Sequence, residues 1–306
     1  MQERQEPKHL SYSSLSSYAE CGERWRLSRV YHLDRSTWWV TLGGTAAHGL
    51  SEKWDLGEMS DEEVAAEFPR ELDRAIADYH ERFGDDAEIK ASGRQTQSMT
   101  NAGGPNKKDR EWVEHFFPKY LQTYFDWRRE SGWELLEIEG FGPGIEVPIM
   151  TDMGGEPIKG AIDRVFVAPT RNPLAGAVLG GAVESLPEVA VVDLKFGRKP
   201  ESTLQLKSYF VGLERQYGVR ADFGAYFVAS SSGLQPGVEF ESMPDGYVDA
   251  LFEQAWRGIR AGVFLPNVSS FCGTCPVRSY CGAVGGEKAD EVPLLEADLT
   301  MPEHLR

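Results

Sequence analysis

Hydrophobic residues recur along this chain in two periods, one typical of strands and one typical of helices. Apolar runs, alternating or continuous, predict strands at 134–139, 145–149, 160–167, 189–195 and 221–229. Apolar positions three or four residues apart predict helices at 61–83, 110–129, 206–217 and 245–262. The pattern therefore indicates a sheet with helices packed against it.

The segments between these elements are polar or rich in small residues. Serines at 11–17 supply helix caps, and a glycine turn at 43–44 is expected to lead into a helix. The polar stretch 84–108 predicts a long loop whose Arg94, Lys107 and Lys108 could contact phosphates, although a solvated loop is the simpler description. The segment 170–187, rich in Gly and Ala, predicts an extended hairpin between two strands.

These elements suggest a division of the chain into five parts. The parts are an N-terminal segment (1–50), a helical region with the polar loop 84–110 (51–132), a strand-bearing core (133–230), a C-terminal helix with cysteines (231–285) and an acidic tail (286–306). We expect the tail to be loosely held.

The candidate chemistry lies where predicted strands carry acids. Asp193 and Lys195 end one apolar strand two residues apart, so both side chains project to the same side. An isolated pair of this kind is usually a surface ion pair worth about 0 to 1 kcal/mol. Asp163, however, interrupts a second apolar strand, and burying an unpaired carboxylate costs several kcal/mol. Two such acids on neighbouring strands would make a hard-oxygen site suited to Mg²⁺ or Mn²⁺, and Glu139 and Glu146 rank below them as extra acids.

The four cysteines form a second candidate site. Cys272, Cys275 and Cys281 form a C-x2-C-x5-C array, and Cys21 lies far upstream. Disulfides are not expected in a cytosolic protein, so this clustering predicts metal ligation. Four thiolates could hold structural zinc or a four-iron four-sulfur cluster, and the spacing alone does not separate the two.

Taken together, these motifs resemble those of the PD-(D/E)XK nucleases. Asp163 stands in a G-x-I-D-R context, Asp193-Leu194-Lys195 resembles the D-x-K motif, and Gln205 with Tyr209 resembles Q-x-x-x-Y. The similarity is to the RecB-like branch, which includes the exonuclease domains of RecB and AddB and the CRISPR-associated spacer-processing nucleases, and it covers about residues 11–281. One departure is Gly22, where that branch commonly has proline.

The resemblance implies a fold, a set of site residues and cofactors. The fold is α/β with a restriction-endonuclease-like core, in which a central mixed β-sheet is flanked by helices, together with a helical N-terminal region and an iron-sulfur-stapled C-terminus. The implied catalytic residues are Asp163, Asp193, Lys195, Gln205 and Tyr209, and the implied metal ligands are His48, Asp163, Asp193 and the carbonyl of Leu194. Cys21, Cys272, Cys275 and Cys281 would hold a 4Fe-4S cluster. The histidine of G-x-x-x-H, Gly44 to His48, favours Mn²⁺ over Mg²⁺.

Composition limits the partners. A net charge of −16 argues against a general nucleic-acid coat protein but leaves room for an enzyme with a local binding groove. The sequence has no apolar stretch of membrane-spanning length, no signal-peptide pattern and no G-x-x-x-x-G-K-[ST] loop. We therefore expect a cytoplasmic, phage-type DNA exonuclease acting in DNA processing or recombination on linear DNA, single-stranded or with free ends, with any helicase or recombination partner supplied by other chains.

Three other interpretations remain open at this point. The same fold could carry a catalytically inactive DNA-binding or assembly protein, because fold does not determine function. The cysteines could form a zinc staple in a domain whose D-x-K is incidental. A zinc deaminase is the weakest alternative, since its H-x-E and P-C-x-x-C pair is absent.

Overall fold

The structure is a computed structural model that describes residues 7–94, 107–168, 188–197, 200, 202–231, 233–239, 244 and 246–293. The helices of these parts are α1 (Tyr12–Glu20), α2 (Gly22–Trp25, continued by a π-turn at Arg26–Val30), α3 (Trp39–Asp55), α4 (Asp61–Phe83), α5 (Arg110–Ser131), α6 (Leu204–Tyr217) and α7 (Tyr247–Arg260). The strands are β1 (Ser36–Trp38), β2 (Glu88–Lys90), β3 (Ser92–Arg94), β4 (Lys107–Lys108), β5 (Glu134–Leu135), β6 (Glu137–Ile138), β7 (Gly142–Pro143), β8 (Ile145–Met153), β9 (Glu156–Ala168), β10 (Glu188–Lys195), β11 (Phe223–Val228) and β12 (Gly233–Glu239). Short 3₁₀ turns lie at Ser270–Thr274, Arg278–Tyr280, Gly282–Val284 and Ala289–Glu291.

The predicted long helices and the main strands are confirmed. Helix α4 begins and ends at the predicted residues because its ends carry strong local signals. Ser60 and Glu63 form a reciprocal capping box at its start, and Gly84 follows its last turn with a left-handed φ of 96°. Here local sequence and tertiary packing agree.

Three local predictions were wrong. Gly43 and Gly44 lie inside α3 instead of in a turn. A Cβ on Gly43 would stand 2.6 Å from Val113 Cγ1 of α5, so glycine at this position permits close packing of the two helices. The stretch 84–108 contains short strands, and β2 pairs in parallel with β1. The start of the tail is held, since Val292 is buried and the Arg26 guanidinium donates to the Pro293 carbonyl at 3.1 Å. The predicted hairpin at 170–187 lies outside the described residues.

The chain forms two compact units. One comprises Met1–Arg35, Met150–Gly160 and Pro244–Arg306, and the other comprises Ser36–Ile149 and Ala161–Met243. In the first unit, Trp25 stacks on Phe264 with ring centroids 5.9 Å apart, and Leu10 forms a parallel bridge with Ile158. None of the helices in the described ranges is both long and apolar enough to cross a membrane.

A mixed sheet organises the second unit. Its strand order is β12-β11-β10-β9-β5, and β8 also pairs with β9. Strands β10 and β11 are parallel, whereas β9 is antiparallel to β10 and β12 is antiparallel to β11. The register places Val192 opposite Arg164, so Asp193 and Asp163 are the next positions along two neighbouring strands. This mixed sheet with flanking helices confirms the predicted α/β class.

Apolar layers cover both faces of the sheet. On β10, residues Ala190, Val192 and Leu194 pack with α3, α4 and α5, whereas Val191 packs with α6. Helix α6 contributes Leu206, Phe210 and Leu213 to the second layer. The alternation follows from the two-residue period of a strand, and it places Asp193 and Lys195 on the face that α6 covers.

Phe210 is a sensitive point of this packing. Its side chain is fully buried, and a Cβ on Gly224 would meet Phe210 Cζ at 2.9 Å. We expect Phe210→Ala to lower the free energy of unfolding by about 3–5 kcal/mol, because it leaves a cavity beneath the sheet. Urea unfolding of the metal-free protein measures this. Glu214→Ala, on the exposed side of the same helix, should change it by less than about 0.5 kcal/mol, and similar losses in the two variants would contradict the layer assignment.

Candidate functional site

Strand β10 and helix α6 bring four of the predicted site residues together. Asp193 and Lys195 project to the same side, and the Lys195 ammonium forms an ion pair with Asp193 Oδ2. From α6, the Gln205 amide donates to Asp193 Oδ1 at 3.0 Å and to the Tyr209 hydroxyl at 2.8 Å. Gln205 and Tyr209 share a helix face because they are four residues apart. The buried carboxylate is thus held between a lysine and an amide.

Asp163 lies beside this pair on β9. Its Oδ2 accepts a hydrogen bond of 2.7 Å from the backbone N–H of Leu194, which links the two acid-bearing strands at their ends. The Asp163 side chain is nearly buried, while His48 of α3 approaches it with Nδ1 3.8 Å from Oδ2. All the residues predicted for the cleavage site therefore lie in one region of the second unit.

A third acid joins His48 and Asp163. Glu146 Oε1 lies 3.7 Å from His48 Nδ1, and in the described parts of the chain these three residues are the group of His, Cys, Asp or Glu whose ligand atoms all lie within 4.8 Å of one another. Two carboxylates and an imidazole are donors that Mn²⁺ and Mg²⁺ accept. Asp193 is not a member of this group, because its carboxylate is turned to Lys195 and Gln205.

Glu146 reaches this position through an unusual backbone. Its φ is 46°, in the left-handed region that costs a non-glycine residue about 1–2 kcal/mol. His48 Nδ1 and Arg164 Nη1 both lie 3.7 Å from its buried Oε1, beyond hydrogen-bond distance, and no other donor bonds that oxygen among the described residues. Strain of this kind concentrates at functional sites, and an unsatisfied oxygen beside another carboxylate fits a cation.

The electrostatics favour a positive ion. Burial would lower the pKa of His48, but the negative charges of Asp163 and Glu146 outweigh it, so the pKa is raised. Burial and the nearby Asp163 charge raise the pKa of Asp193 to about 7, although Lys195 and His48 oppose that shift. The His48 shift reports the negative charge of its two carboxylate neighbours, whereas burial is the larger cause of the Asp193 shift; a divalent cation would neutralise the negative charge that contributes to both.

These groups open into a cleft of about 580 Å³. One wall is a face of α3 that includes Gly44, His48 and Glu52, and the other comprises Glu146, Asp163 and the turn 194–197. Lys195 is the one lysine or arginine among the described residues that line it. Phe196 packs edge-on against the His48 ring at 5.4 Å and so limits its rotation.

Two features of the site were ranked low or missed from sequence. Glu146 alternates like any strand acid, and nothing in its neighbours signals a left-handed φ. Glu52 was not singled out, although it lies four residues after His48 and therefore on the same helix face, a signal that helical periodicity carries.

The four cysteines converge in the other unit. Cys21, Cys272, Cys275 and Cys281 line one small pocket. Backbone N–H groups point at two of the sulfurs: Arg24 and Asn267 donate to Cys21 Sγ at 3.5 and 3.4 Å, and Ser269 donates to Cys272 Sγ at 3.4 Å. Donors of this kind stabilise metal-bound thiolates.

The glycine at position 22 has a steric reason. A Cβ there would stand 2.9 Å from the backbone of Phe264 and Leu265, so the chain beside Cys21 packs directly against the segment that leads to the other cysteines. This close approach within the first unit accounts for the departure from proline.

Two phage proteins are similar to this chain over most of its length. "Gene 69 protein" of Mycobacterium phage L5 is 24% identical over 300 residues, covering 89% of this chain and 95% of that protein. "Gene 69 protein" of Mycobacterium phage D29 is 23% identical over 282 residues, covering 87% of this chain and 96% of that protein. A solved structure described as "Crystal structure of SSO0001" covers 91% of this chain and 88% of its own at 12% identity, but its TM-score of 0.34 is too low to support an argument.

A family model carries the assignment. The model for the PD-(D/E)XK nuclease superfamily matches residues 9–282, a span that contains the cleft residues and all four cysteines. The chain therefore belongs to the PD-(D/E)XK nuclease superfamily.

Proposed function

We propose that this protein is a divalent-metal-dependent deoxyribonuclease that hydrolyses phosphodiester bonds in the cleft described above. The observation that carries the proposal is the convergence of His48, Glu146 and Asp163 within 4.8 Å, in the cleft that Lys195 also lines. Phosphodiester cleavage requires an activated water and relief of negative charge on the phosphoryl oxygens, and this donor set suits both needs.

Each side chain has a distinct role in this proposal. His48, Glu146 and Asp163 would hold the metal ion, with Asp193 and the Leu194 carbonyl completing the ligand set. When bound, a divalent ion supplies a water of lowered pKa and neutralises charge on the phosphate. Lys195 would donate its ammonium hydrogens to the scissile phosphate and so stabilise the negative charge that develops there.

The remaining two residues would orient Lys195 through Asp193. Gln205 holds Asp193 Oδ1 at 3.0 Å, and so limits the rotation of the carboxylate that pairs with Lys195. Burial and the Asp193 charge raise the pKa of Tyr209 well above its usual value, so its hydroxyl stays protonated and can donate a hydrogen bond. Gln205 and Tyr209 would therefore hold the Lys195 ammonium in position through Asp193 without carrying charge themselves.

The substrate in this proposal is linear DNA attacked from its ends. Support comes from the resemblance of the motifs to RecB-like exonucleases and from the charge of the protein. With a net charge of −16 and Lys195 as the one lysine or arginine among the described residues lining the cleft, binding along duplex DNA by phosphate contacts alone would be weak. Productive binding would then depend on the metal ion and on an end that can enter the cleft.

The cysteines would hold a 4Fe-4S cluster in the same proposal. No three of the four thiol sulfurs, all of which are described, lie within 4.8 Å of one another. Tetrahedral zinc with Zn–S bonds of ~2.3 Å requires sulfurs about 3.8 Å apart. Thiols spaced more widely than that, with backbone N–H donors at two of the sulfurs, would suit a larger cluster, and bound metal would offset the burial that raises the pKa of the Cys275 thiol.

Lys195→Ala should remove cleavage while leaving Mn²⁺ and DNA binding largely intact. We expect the rate on end-labelled linear DNA to fall about 100-fold or more, because a charge-stabilising group is lost. The assay uses anaerobically purified protein with Mn²⁺, Mg²⁺ or EDTA on linear and closed circular DNA, and survival of the circles would support an exonuclease.

Lys119→Ala is the matched control, since it removes a lysine of α5 that does not line the cleft. Full activity of Lys195→Ala would contradict the role of Lys195. A wild-type protein that binds DNA without cutting it in any metal would favour an inactive binding protein.

Asp193 should make the stability of the metal-free protein depend on pH. Its pKa is about 7 in the folded protein and about 3.9 when unfolded, so the folded state holds the proton more tightly. The resulting stability is complete below the unfolded pKa and is lost as pH rises through 7. The thermal midpoint should therefore fall more between pH 4 and about 7.5 in the wild type than in Asp193→Asn, and Mn²⁺ should restore most stability at the higher pH. Parallel curves for the two proteins would refute this.

The anaerobically purified protein should be brown, with broad visible absorption and bound iron and sulfide. Cys275→Ser should lose most of that absorption, because one of the four ligands is replaced. Ser279→Ala in the same segment serves as the control and should keep the colour. A colourless wild-type protein that contains zinc would replace the iron-sulfur assignment with a zinc staple.

A further inference from the structure

We propose that Arg164 is a positioning residue for the candidate metal site: it fixes helix α3 against β9 so that His48 stands beside the two carboxylates. This inference rests on the proposed function. Arg164 follows Asp163 on β9 and points to the opposite face of the sheet, where α3 and α5 pack. Its side chain is fully buried, together with that of Asp55, beside the apolar layer of α3 and α5.

The guanidinium of Arg164 makes two hydrogen bonds to side chains of α3. Nε donates to Asp55 Oδ2 at 2.7 Å, and Nη2 donates to Ser51 Oγ at 2.8 Å. Ser51 and Asp55 follow His48 by three and seven residues, so all three lie along one face of the helix. Ser51 Oγ in turn donates to the His48 carbonyl at 2.8 Å. The hydrogen bonds from Arg164 therefore lead through Ser51 to the backbone of His48, the α3 residue of the candidate metal site.

On the strand side, the same guanidinium is anchored to the backbone of β9. Nη1 donates to the Asp163 carbonyl at 2.6 Å and lies 3.7 Å from Glu146 Oε1. A planar guanidinium presents its hydrogens in fixed directions, unlike a lysine ammonium. Arg164 thus sets both the rotation and the translation of α3 relative to β9.

Stability alone does not explain a charged residue at this position. The Asp55 side chain, also fully buried, accepts further hydrogen bonds from Tyr124 at 2.7 Å and from Arg128 at 3.1 Å, so the network is well satisfied. Even so, a well-packed apolar replacement of a buried ion pair is often equally stable. An apolar residue cannot make hydrogen bonds in fixed directions, and metal sites are sensitive to the orientation of their ligands.

The decisive test is a double-mutant cycle on Mn²⁺ affinity, measured with Mn²⁺ alone by electron paramagnetic resonance of the free ion. We expect Arg164→Lys to weaken binding about 10- to 100-fold, the range typical for residues that orient a metal ligand, and His48→Ala, which removes a ligand, to weaken it at least as much. Combining them should cost no more than His48→Ala alone, within about twofold, because Arg164 acts through His48. Independent, additive losses would overturn the proposal.

Arg128→Lys is the matched control. Arg128 is a mostly buried arginine on the same Asp55 carboxylate, but it makes no contact with Ser51, Asp163 or Glu146 among the hydrogen bonds and ion pairs of the described residues. Its loss should change the affinity by less than about threefold. An equal loss in Arg128→Lys would mean that affinity reports general loosening of the core, and would overturn the proposal.

A second variant keeps the test valid if Arg164→Lys does not fold. Ser51→Ala keeps the buried ion pair and removes only the link between Arg164 and the His48 turn. It should weaken Mn²⁺ binding in the wild-type background and have no effect in the His48→Ala background. If His48→Ala itself leaves the affinity unchanged, the proposed metal site fails. If His48→Ala weakens binding but Ser51→Ala does not, only the positioning role fails.

Discussion

Burial of charge between two apolar layers is the constraint on which this structure depends. Asp163, Arg164 and Asp193 lie in a sheet that helices cover on both faces, with exposures of 9%, 0% and 1%. An unpaired ion at such a position would cost several kcal/mol, so each group needs a dedicated partner. The Leu194 amide, the Lys195 ammonium and the groups of α3 meet that need. The charge left over is negative and is concentrated at the cleft.

The two-residue period of a β-strand allows two neighbouring residues of β9, Asp163 and Arg164, to have different roles. Asp163 is turned towards the cleft, while Arg164 is turned towards α3, because consecutive side chains leave opposite faces of a strand. Helix α3 is suited to receive Arg164. Gly43 weakens the helix by about 1 kcal/mol relative to alanine, but it allows the helix to approach α5 closely. Close packing of α3 against α5 then fixes the position of His48 relative to β9.

The cysteine site follows a different principle, since its ligands come from both ends of the chain. Cys21 and the cysteines from Cys272 onward are brought together by direct backbone packing at Gly22 and by the Asn267 amide on the Cys21 sulfur. Bringing distant segments together costs loop-closure entropy, and a bound metal cluster would offset that cost. All four cysteines of the chain therefore line one pocket although they come from segments near its two ends.

The sequence by itself determined the long elements, the α/β class and most of the candidate cleavage site. Asp163 stood out because a charge inside an apolar strand is costly, Asp193 and Lys195 because they end a strand on the same side, and the motif resemblance joined the three; all of these signals are local. Tertiary structure alone decided the rest. Gly43 lies in a helix that packs so closely against α5 that a Cβ would not fit, and Glu146 stands beside His48 with a left-handed backbone. The partners of Arg164 come from α3, more than a hundred residues earlier in the chain. Contacts between distant residues depend on how whole layers pack, and periodicity within a single element carries no information about that packing.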